Sequence, residues 1–88
     1  MKITVEKLTE AQISEMGINK WPVWTKEKSK FDWYYDETEQ CYILEGKVTV
    51  HTDTESVTFG KDDFVTFPKG LSCTWEIHEP VRKHYQLG

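Results

Sequence analysis

Three side chains in this sequence carry groups that could do chemistry: the carboxylate of Glu39, the thiol of Cys73 and the amine of Lys83. A carboxylate inside a folded domain needs a cation, a hydrogen-bond donor or a proton. A thiol becomes a nucleophile or a metal ligand when a base or a positive neighbour activates it, and otherwise packs as a small apolar residue. The three groups are far apart in the chain, so their chemistry depends on the elements that position them.

The surroundings of Lys83 indicate which way its side chain points. It lies in VRKHYQL (81–87), where it alternates with polar residues and shares one face with the apolar ones. This pattern predicts that Lys83 enters the interior, while Arg82 and His84 face the other way. Its amine would then pair with Glu39 or act as a desolvated amine. Alternatively, the stem is buried and the ammonium reaches water.

The elements around these residues are predicted to be one short helix and many short strands. The helical signal is LTEAQISEMG (8–17), where Thr9 and Gln12 form a capping box and Gly17 ends the helix. Beyond it, alternating segments separated by turn residues predict a β-sandwich or barrel. The strands are predicted at residues 3–5, 24–26, 31–35, 41–44, 47–51, 56–59, 64–67, 72–77 and 81–87. Turns are predicted at Glu45-Gly46, Asp53-Thr54, 60–63, 68–70 and Glu79-Pro80.

Composition narrows the class of protein. The 88 residues suffice for one small domain, 1–88, and the 14% aromatic content lets so short a chain close a core. A net charge of −4 argues against a nucleic-acid partner. No apolar run is long enough to span a membrane, and no signal peptide is evident, so we predict a cytoplasmic protein without a membrane partner. The two cysteines are too few for a disulfide scaffold. The three histidines show no ligand spacing and are predicted at the surface: His51, His78 and His84.

Two spacings resemble the motifs of the cupin superfamily. Glu39 is followed by six residues and Gly46, as in that family's first motif, His-x-His, three or four residues, Glu, six residues, Gly. The segment GKDDFVTFPKGLSCTW contains Pro68-Lys69-Gly70, as in the second motif, Gly-x5-Pro-x-Gly-x2-His-x3-Asn. The match covers about residues 33 to 77. It implies an all-β fold, a small jelly-roll-like cupin β-barrel with a short N-terminal helix outside it.

A closer similarity extends over nearly the whole chain. It is to the small single-domain cupins grouped with ureidoglycine aminohydrolase and the ethanolamine-utilisation cupins, many of which have no assigned function. The residues that carry it are Trp21-Pro22-x-Trp24, Phe31-x-Trp33, Glu39-x-Cys41-Tyr42-x-Leu44-Glu45-Gly46, Pro68-Lys69-Gly70-x-x-Cys73-x-Trp75 and Val81-Arg82-Lys83-His84-Tyr85.

The cupin motifs are altered here at the positions of the metal ligands. The resemblance places the first-motif histidines at Trp33 and Tyr35, or one residue earlier with the other permitted spacing, and the second-motif histidine at Cys73. Of the usual three histidines and one glutamate, only Glu39 remains, with Cys73 as a possible second ligand. Two protein ligands make a weak site. We therefore expect no cofactor, and a divalent metal is disfavoured.

The resemblance also implies a pocket inside the barrel. Glu39 would be a general acid/base or ligand-anchoring group there, with Lys83 as its catalytic partner. The aromatic residues would stack on a planar or sugar-like ligand, or simply fill the volume that a metal and its histidines occupy in other cupins. The pocket residues expected on this basis are Trp33, Tyr35, Cys41, Cys73 and Trp75.

Three functions stay open at this point. The first is a cupin that binds a small molecule without a tightly held metal, the second a metal-dependent enzyme using Glu39 and Cys73, and the third a non-catalytic structural or interaction module. We rank the first ahead, because a carboxylate and an amine would be unusual in a barrel that is only packed. Whether any reaction is catalysed is left open.

Apolar residues are expected on the outside of the barrel, and they predict a homodimer. These residues are Tyr42, Leu44, Trp21 and Trp24.

Overall fold

The structure, a computed structural model that describes residues 1–88, consists mainly of antiparallel strands. The N-terminal part contains one α-helix and one 3₁₀ helix, and the remainder is strand and turn. In chain order the elements are β1 (Thr4–Lys7), α1 (Glu10–Met16), the 3₁₀ helix (Ile18–Lys20), β2 (Val23–Lys26), β3 (Ser29–Tyr34), β4 (Glu39–His51), β5 (Ser56–Gly60), β6 (Asp63–Phe67) and β7 (Ser72–Leu87).

The two long strands β4 and β7 pair with each other and connect the whole sheet. Where β4 begins and β7 ends, the strand order is β1-β6-β4-β7-β2. Where β4 ends and β7 begins, β5 pairs with β4 and β3 pairs with β7. The sheet thus encloses one core, and the predicted all-β fold with a short N-terminal helix is confirmed.

A β-bulge interrupts the middle of the β4–β7 pair. The register shifts between Ile43 and Val48, and the buried residues of β4 change there from odd to even numbers. Gly46 has a φ of 103° at this point, a conformation that favours glycine. The turns predicted at Glu45-Gly46 and Glu79-Pro80 are therefore wrong, because both strands continue through these residues. Glycine and proline mark a bulge here, where an irregular ladder tolerates them.

The remaining local predictions agree with the structure to within about two residues. The Thr9 hydroxyl accepts a hydrogen bond from the Gln12 backbone N–H at 3.2 Å, and the Gln12 side chain accepts one from the Thr9 backbone N–H at 2.8 Å. Gly17 ends α1 with a φ of 67°. The 3₁₀ helix that follows was not predicted, and its Ile18 is fully buried.

Aromatic rings fill the space between the two halves of the sheet. The Trp75 ring lies at the centre, with its centroid 5.6–6.2 Å from those of Phe31, Phe59, Phe67 and Trp24. Trp24 therefore packs inward and is not part of the external apolar surface that the sequence predicted. Pairs of this kind contribute about 0.5–1.5 kcal/mol each beyond the burial of their area. The interior of the barrel is consequently occupied by the protein's own side chains.

Candidate functional site

Glu39 and Lys83 meet inside the barrel, on the neighbouring strands β4 and β7. The Lys83 Nζ donates a hydrogen bond to the Glu39 Oε2 at 2.5 Å. The Lys83 side chain is only 6% exposed and the Glu39 side chain only 9%, so water screens this ion pair very little. Lys83 points inward, as the alternation predicted, and Val81 on the same face is buried, whereas Leu87 at the end of the strand is exposed.

Two indole rings complete the surroundings of the Lys83 ammonium. Its Nζ lies 5.0 Å from the ring centroid of Trp24 and 4.7 Å from that of Trp75. Both distances fall within the range of cation–π attraction, which strengthens when the cation is desolvated. The ammonium is thus held by one carboxylate and two aromatic faces.

Tyr35 lies in the same core as a neutral phenol. Its hydroxyl accepts a hydrogen bond from the Trp75 Nε1 at 3.0 Å, and its ring stacks on Phe67 at 4.8 Å. Burial raises the pKa of Tyr35 well above its usual range, and the nearby charge of Glu39 raises it further. At neutral pH this hydroxyl is neither a base nor an anionic metal ligand.

The two cysteines are free and protonated at neutral pH. Burial raises the pKa of Cys41 to about 12, although the Lys83 ammonium opposes the shift. Burial also raises the pKa of Cys73 to about 11, with smaller contributions from the charges of Asp32 and Glu39. The Cys73 Sγ donates a weak hydrogen bond to the Trp33 carbonyl at 3.7 Å. Because nucleophilic attack needs a thiolate, neither cysteine is activated in this structure.

An open depression of about 590 Å³ lies at the rim of the sheet, where β3 and β4 end and β7 begins. We call it the rim depression. Two aromatic residues of its lining are exposed, Trp33 by 52% and Tyr34 by 58%. Cys73 belongs both to the core and to this lining. The lining residues are Asp32, Trp33, Tyr34, His51, Thr52, Asp53, Ser72, Cys73 and Thr74.

The expected pocket residues are thus divided between two places. Tyr35, Cys41 and Trp75 lie in the core with the Glu39–Lys83 pair, whereas Trp33 lies at the rim, so the expectation of one pocket shared by all three aromatics is wrong. Trp33 lies near the end of β3, at the edge of the covered part of the barrel, and its side chain is exposed there. Glu39 and Lys83 line neither the rim depression nor a second depression between β2 and the middle of β7.

Sequence reasoning missed most of the rim depression. His51 was expected at the surface without a role, but it lines the depression and its ring contacts Ser56 Oγ and Glu76 Oε1, each at 2.8 Å. The hydrogen bond from His51 lowers the pKa of the Glu76 carboxyl. His84 is half-buried and contacts the Trp21 carbonyl at 2.9 Å, so its predicted surface position is only partly right. No local pattern in the sequence distinguishes these contacts from those of ordinary turn residues.

The donor set inside the barrel does not fit the metal site of other cupins. No group of three or more His, Cys, Asp or Glu side chains is close enough to hold a metal ion. The Glu39 carboxylate already accepts a hydrogen bond from the Lys83 ammonium. Indole has no lone pair to offer in place of imidazole. These residues therefore lack the three histidine donors of that site.

The fold and the altered motif identify the chain as a cupin domain without the usual histidine ligands. The sequence profile of the EutQ-like cupin domain matches residues 13–85. The chain belongs to this family, as the resemblance implied. No curated protein matches the sequence.

Solved structures resemble the chain over its full length. A DUF861 family protein from Thermotoga maritima is 53% identical, with a TM-score of 0.97 over 99% of this chain and 100% of that one. The EutQ protein of Clostridium difficile is 17% identical, with a TM-score of 0.69 over 97% of this chain and 66% of that one. A cupin superfamily protein from Desulfitobacterium hafniense is 10% identical, with a TM-score of 0.58 over 96% of this chain and 74% of that one. The last two matches indicate the cupin fold alone.

No helix of the structure is long and apolar enough to cross a membrane.

Proposed function

We propose that this cupin domain binds a small molecule without a tightly held metal, and that the ligand occupies the rim depression. The observation that carries the proposal is that two exposed aromatic residues, Trp33 and Tyr34, line an open volume of about 590 Å³. Large aromatic side chains that stay exposed next to a concavity are typical of binding surfaces. Glu39 and Lys83 do not line this volume.

The lining favours a planar or sugar-like ligand that offers hydrogen-bond donors. The carboxylates of Asp32 and Asp53 accept such bonds, and the hydroxyl of Ser72 adds a further partner, whereas the hydroxyls of Thr52 and Thr74 are already bonded to Glu55 and Asp32. The exposed rings supply a stacking surface. In this proposal Glu39 and Lys83 are not in contact with the ligand, and they support the strands from which the rim residues project.

The test is a map of chemical-shift changes in the ¹⁵N-labelled protein on titration with monosaccharides, nucleosides and small aromatic acids and amines. We expect binding compounds to shift the Trp33 indole N–H and the amides of Thr52 and Cys73. Trp33→Ala should abolish these shifts, whereas Leu87→Ala should not, although Leu87 is equally exposed at 50%. Shifts confined to the surroundings of Glu39, or none with any compound, would contradict the proposal.

A second candidate function is a non-catalytic structural or interaction module. It is supported by the aromatic filling of the interior, in which Trp75 contacts Phe31, Phe59 and Phe67. The same titration separates the two candidates, because a module of this kind would bind none of the small molecules.

We also propose that the protein is a homodimer. We place it in a reducing, cytoplasmic compartment, where the free thiols would persist.

A further inference from the structure

The surroundings of the Lys83 ammonium form an enclosed recognition site for a positively charged group. We propose that this site, the ammonium box formed by Glu39, Trp24 and Trp75, is selective for a primary ammonium, and that the chain's own Lys83 is its resident occupant. A free alkylammonium ion would bind there once the Lys83 side chain is shortened. The ammonium box is separate from the rim depression, so this inference does not depend on the proposed function.

The contacts that define the ammonium box are made to the charged group of Lys83. The Nζ atom donates to the Glu39 Oε2 at 2.5 Å and lies within about 5 Å of both indole centroids. A carboxylate and two aromatic faces together recognise a cation that can both donate a hydrogen bond and tolerate an apolar environment. A primary ammonium satisfies both conditions, whereas a hydrated sodium ion satisfies neither.

The charge balance of the interior favours a cation at this position. Glu39 and Lys83 are the only charged side chains that are buried. The other titratable groups that act on the pair, Cys41, Cys73 and Tyr35, are neutral at pH 7 because burial raises the pKa of each. Without Lys83, the Glu39 carboxylate would remain buried and unpaired, which is strongly unfavourable. The vacated volume would therefore attract a replacement cation.

The experiment uses the variant Lys83→Ala and n-propylammonium chloride, which supplies the three carbons and the ammonium that the substitution removes. Ligand that binds only the folded state raises the folding equilibrium constant by a factor of 1 + [L]/Kd, roughly tenfold at nine times Kd. We expect a saturable rise in urea midpoint over concentrations up to about 0.2 M. At matched ionic strength, sodium chloride, tetramethylammonium chloride and n-propanol should not reproduce it.

The matched control is the double variant Lys83→Ala/Glu39→Gln, which lacks the carboxylate and should show no saturable response to n-propylammonium. A folded Lys83→Ala protein that responds to n-propylammonium no more than to sodium chloride would overturn the inference. If Lys83→Ala does not fold, the ammonium box is tested in the wild-type protein by NMR. Slowly exchanging Lys83 Nζ protons and upfield-shifted Cε protons are expected from the two indoles, and exchange-averaged signals at ordinary shifts would refute the ammonium box.

Discussion

Gly46 packs against Pro80 across the bulge of the β4–β7 pair, leaving no room for a side chain. A Cβ atom on Gly46 would meet the Pro80 carbonyl oxygen and lie 2.7 Å from the Cα of Val81. These are backbone atoms, which rotamer changes do not move. The contact sits where the inward-facing residues of β4 change from odd to even numbers, so it helps to set which side chains enter the barrel.

The first prediction concerns this contact. Gly46→Ala should lower the free energy of unfolding by about 2–4 kcal/mol, because it adds a clash to the strain of a positive φ. Gly17→Ala is the control, since Gly17 also has a positive φ but has no atom within 4 Å of a Cβ position. We expect it to cost about 1 kcal/mol. Equal losses for the two variants in urea denaturation would contradict the role of the Pro80 contact.

The second prediction concerns the ion pair in the core. Lys83→Met should cost about 3–5 kcal/mol at neutral pH, because it leaves the buried Glu39 carboxylate uncompensated. Adding Glu39→Gln should recover part of this loss, since the amide carries no charge. The measurement is a double-mutant cycle in urea at pH 7. Strictly additive losses would mean that the two side chains do not interact in solution.

The third prediction concerns metal content. Protein purified without a metal-affinity tag and then dialysed should contain well under one equivalent of zinc, iron, manganese, nickel or copper, because Glu39 and Cys73 alone make a weak site. A chelator should leave the melting temperature unchanged. The measurements are elemental analysis and thermal melts with and without chelator. Near-stoichiometric metal that disappears in Glu39→Ala or Cys73→Ser would instead support the metal-dependent enzyme.

The fourth prediction is a loss of stability at alkaline pH. The ordinary pKa of a cysteine is 9.0, and in the folded protein those of Cys41 and Cys73 are about 12 and 11. Between pH 9 and 11 the unfolded chain therefore releases protons that the folded protein keeps, so the free energy of unfolding falls as pH rises. Each group contributes up to about 1.4 kcal/mol per pH unit. Tyr35 adds to the effect above its ordinary pKa of 10.0.

Urea denaturation at several pH values measures this slope. Cys41→Ala and Cys73→Ala should each make the slope of unfolding free energy against pH less steep by the contribution of one proton, about 1.4 kcal/mol per pH unit. The replacement of an exposed residue such as Met16 by Ala should leave it unchanged. Identical slopes in all variants would contradict the raised pKa values of the two thiols.

The fifth prediction is that the protein is a homodimer. Tyr42 and Leu44 lie on the face of β4 that points away from the core, and both are half-buried. Trp24 packs against the core and therefore does not contribute to this surface. Static light scattering should give twice the chain mass at micromolar concentration. Leu44→Arg should shift the mass toward the monomer, and Leu87→Arg, on a different strand end, should not. A monomer mass for the unaltered protein up to near-millimolar concentration would rule out the dimer.

Local features of the chain were determined by the sequence itself. The capping box of Thr9 and Gln12 and the alternation around Lys83 depend on neighbouring residues only, so they could be predicted. In these two cases side-chain period and backbone preference point to one structure without reference to distant partners. The Glu39-x6-Gly46 and Pro68-x-Gly70 spacings indicated the cupin fold in another way, through their resemblance to that family's motifs.

Other features were decided only by the tertiary structure. Gly46 and Pro80 look like turn residues in isolation, and they become a bulge because two long strands pair across them. Trp24 and Trp33 are both strand tryptophans, yet one packs on Trp75 and the other stands exposed at the rim. The rim depression forms where β3, β4 and β7 meet. Each outcome depends on strand pairing between residues far apart in the chain, which no local period or propensity encodes.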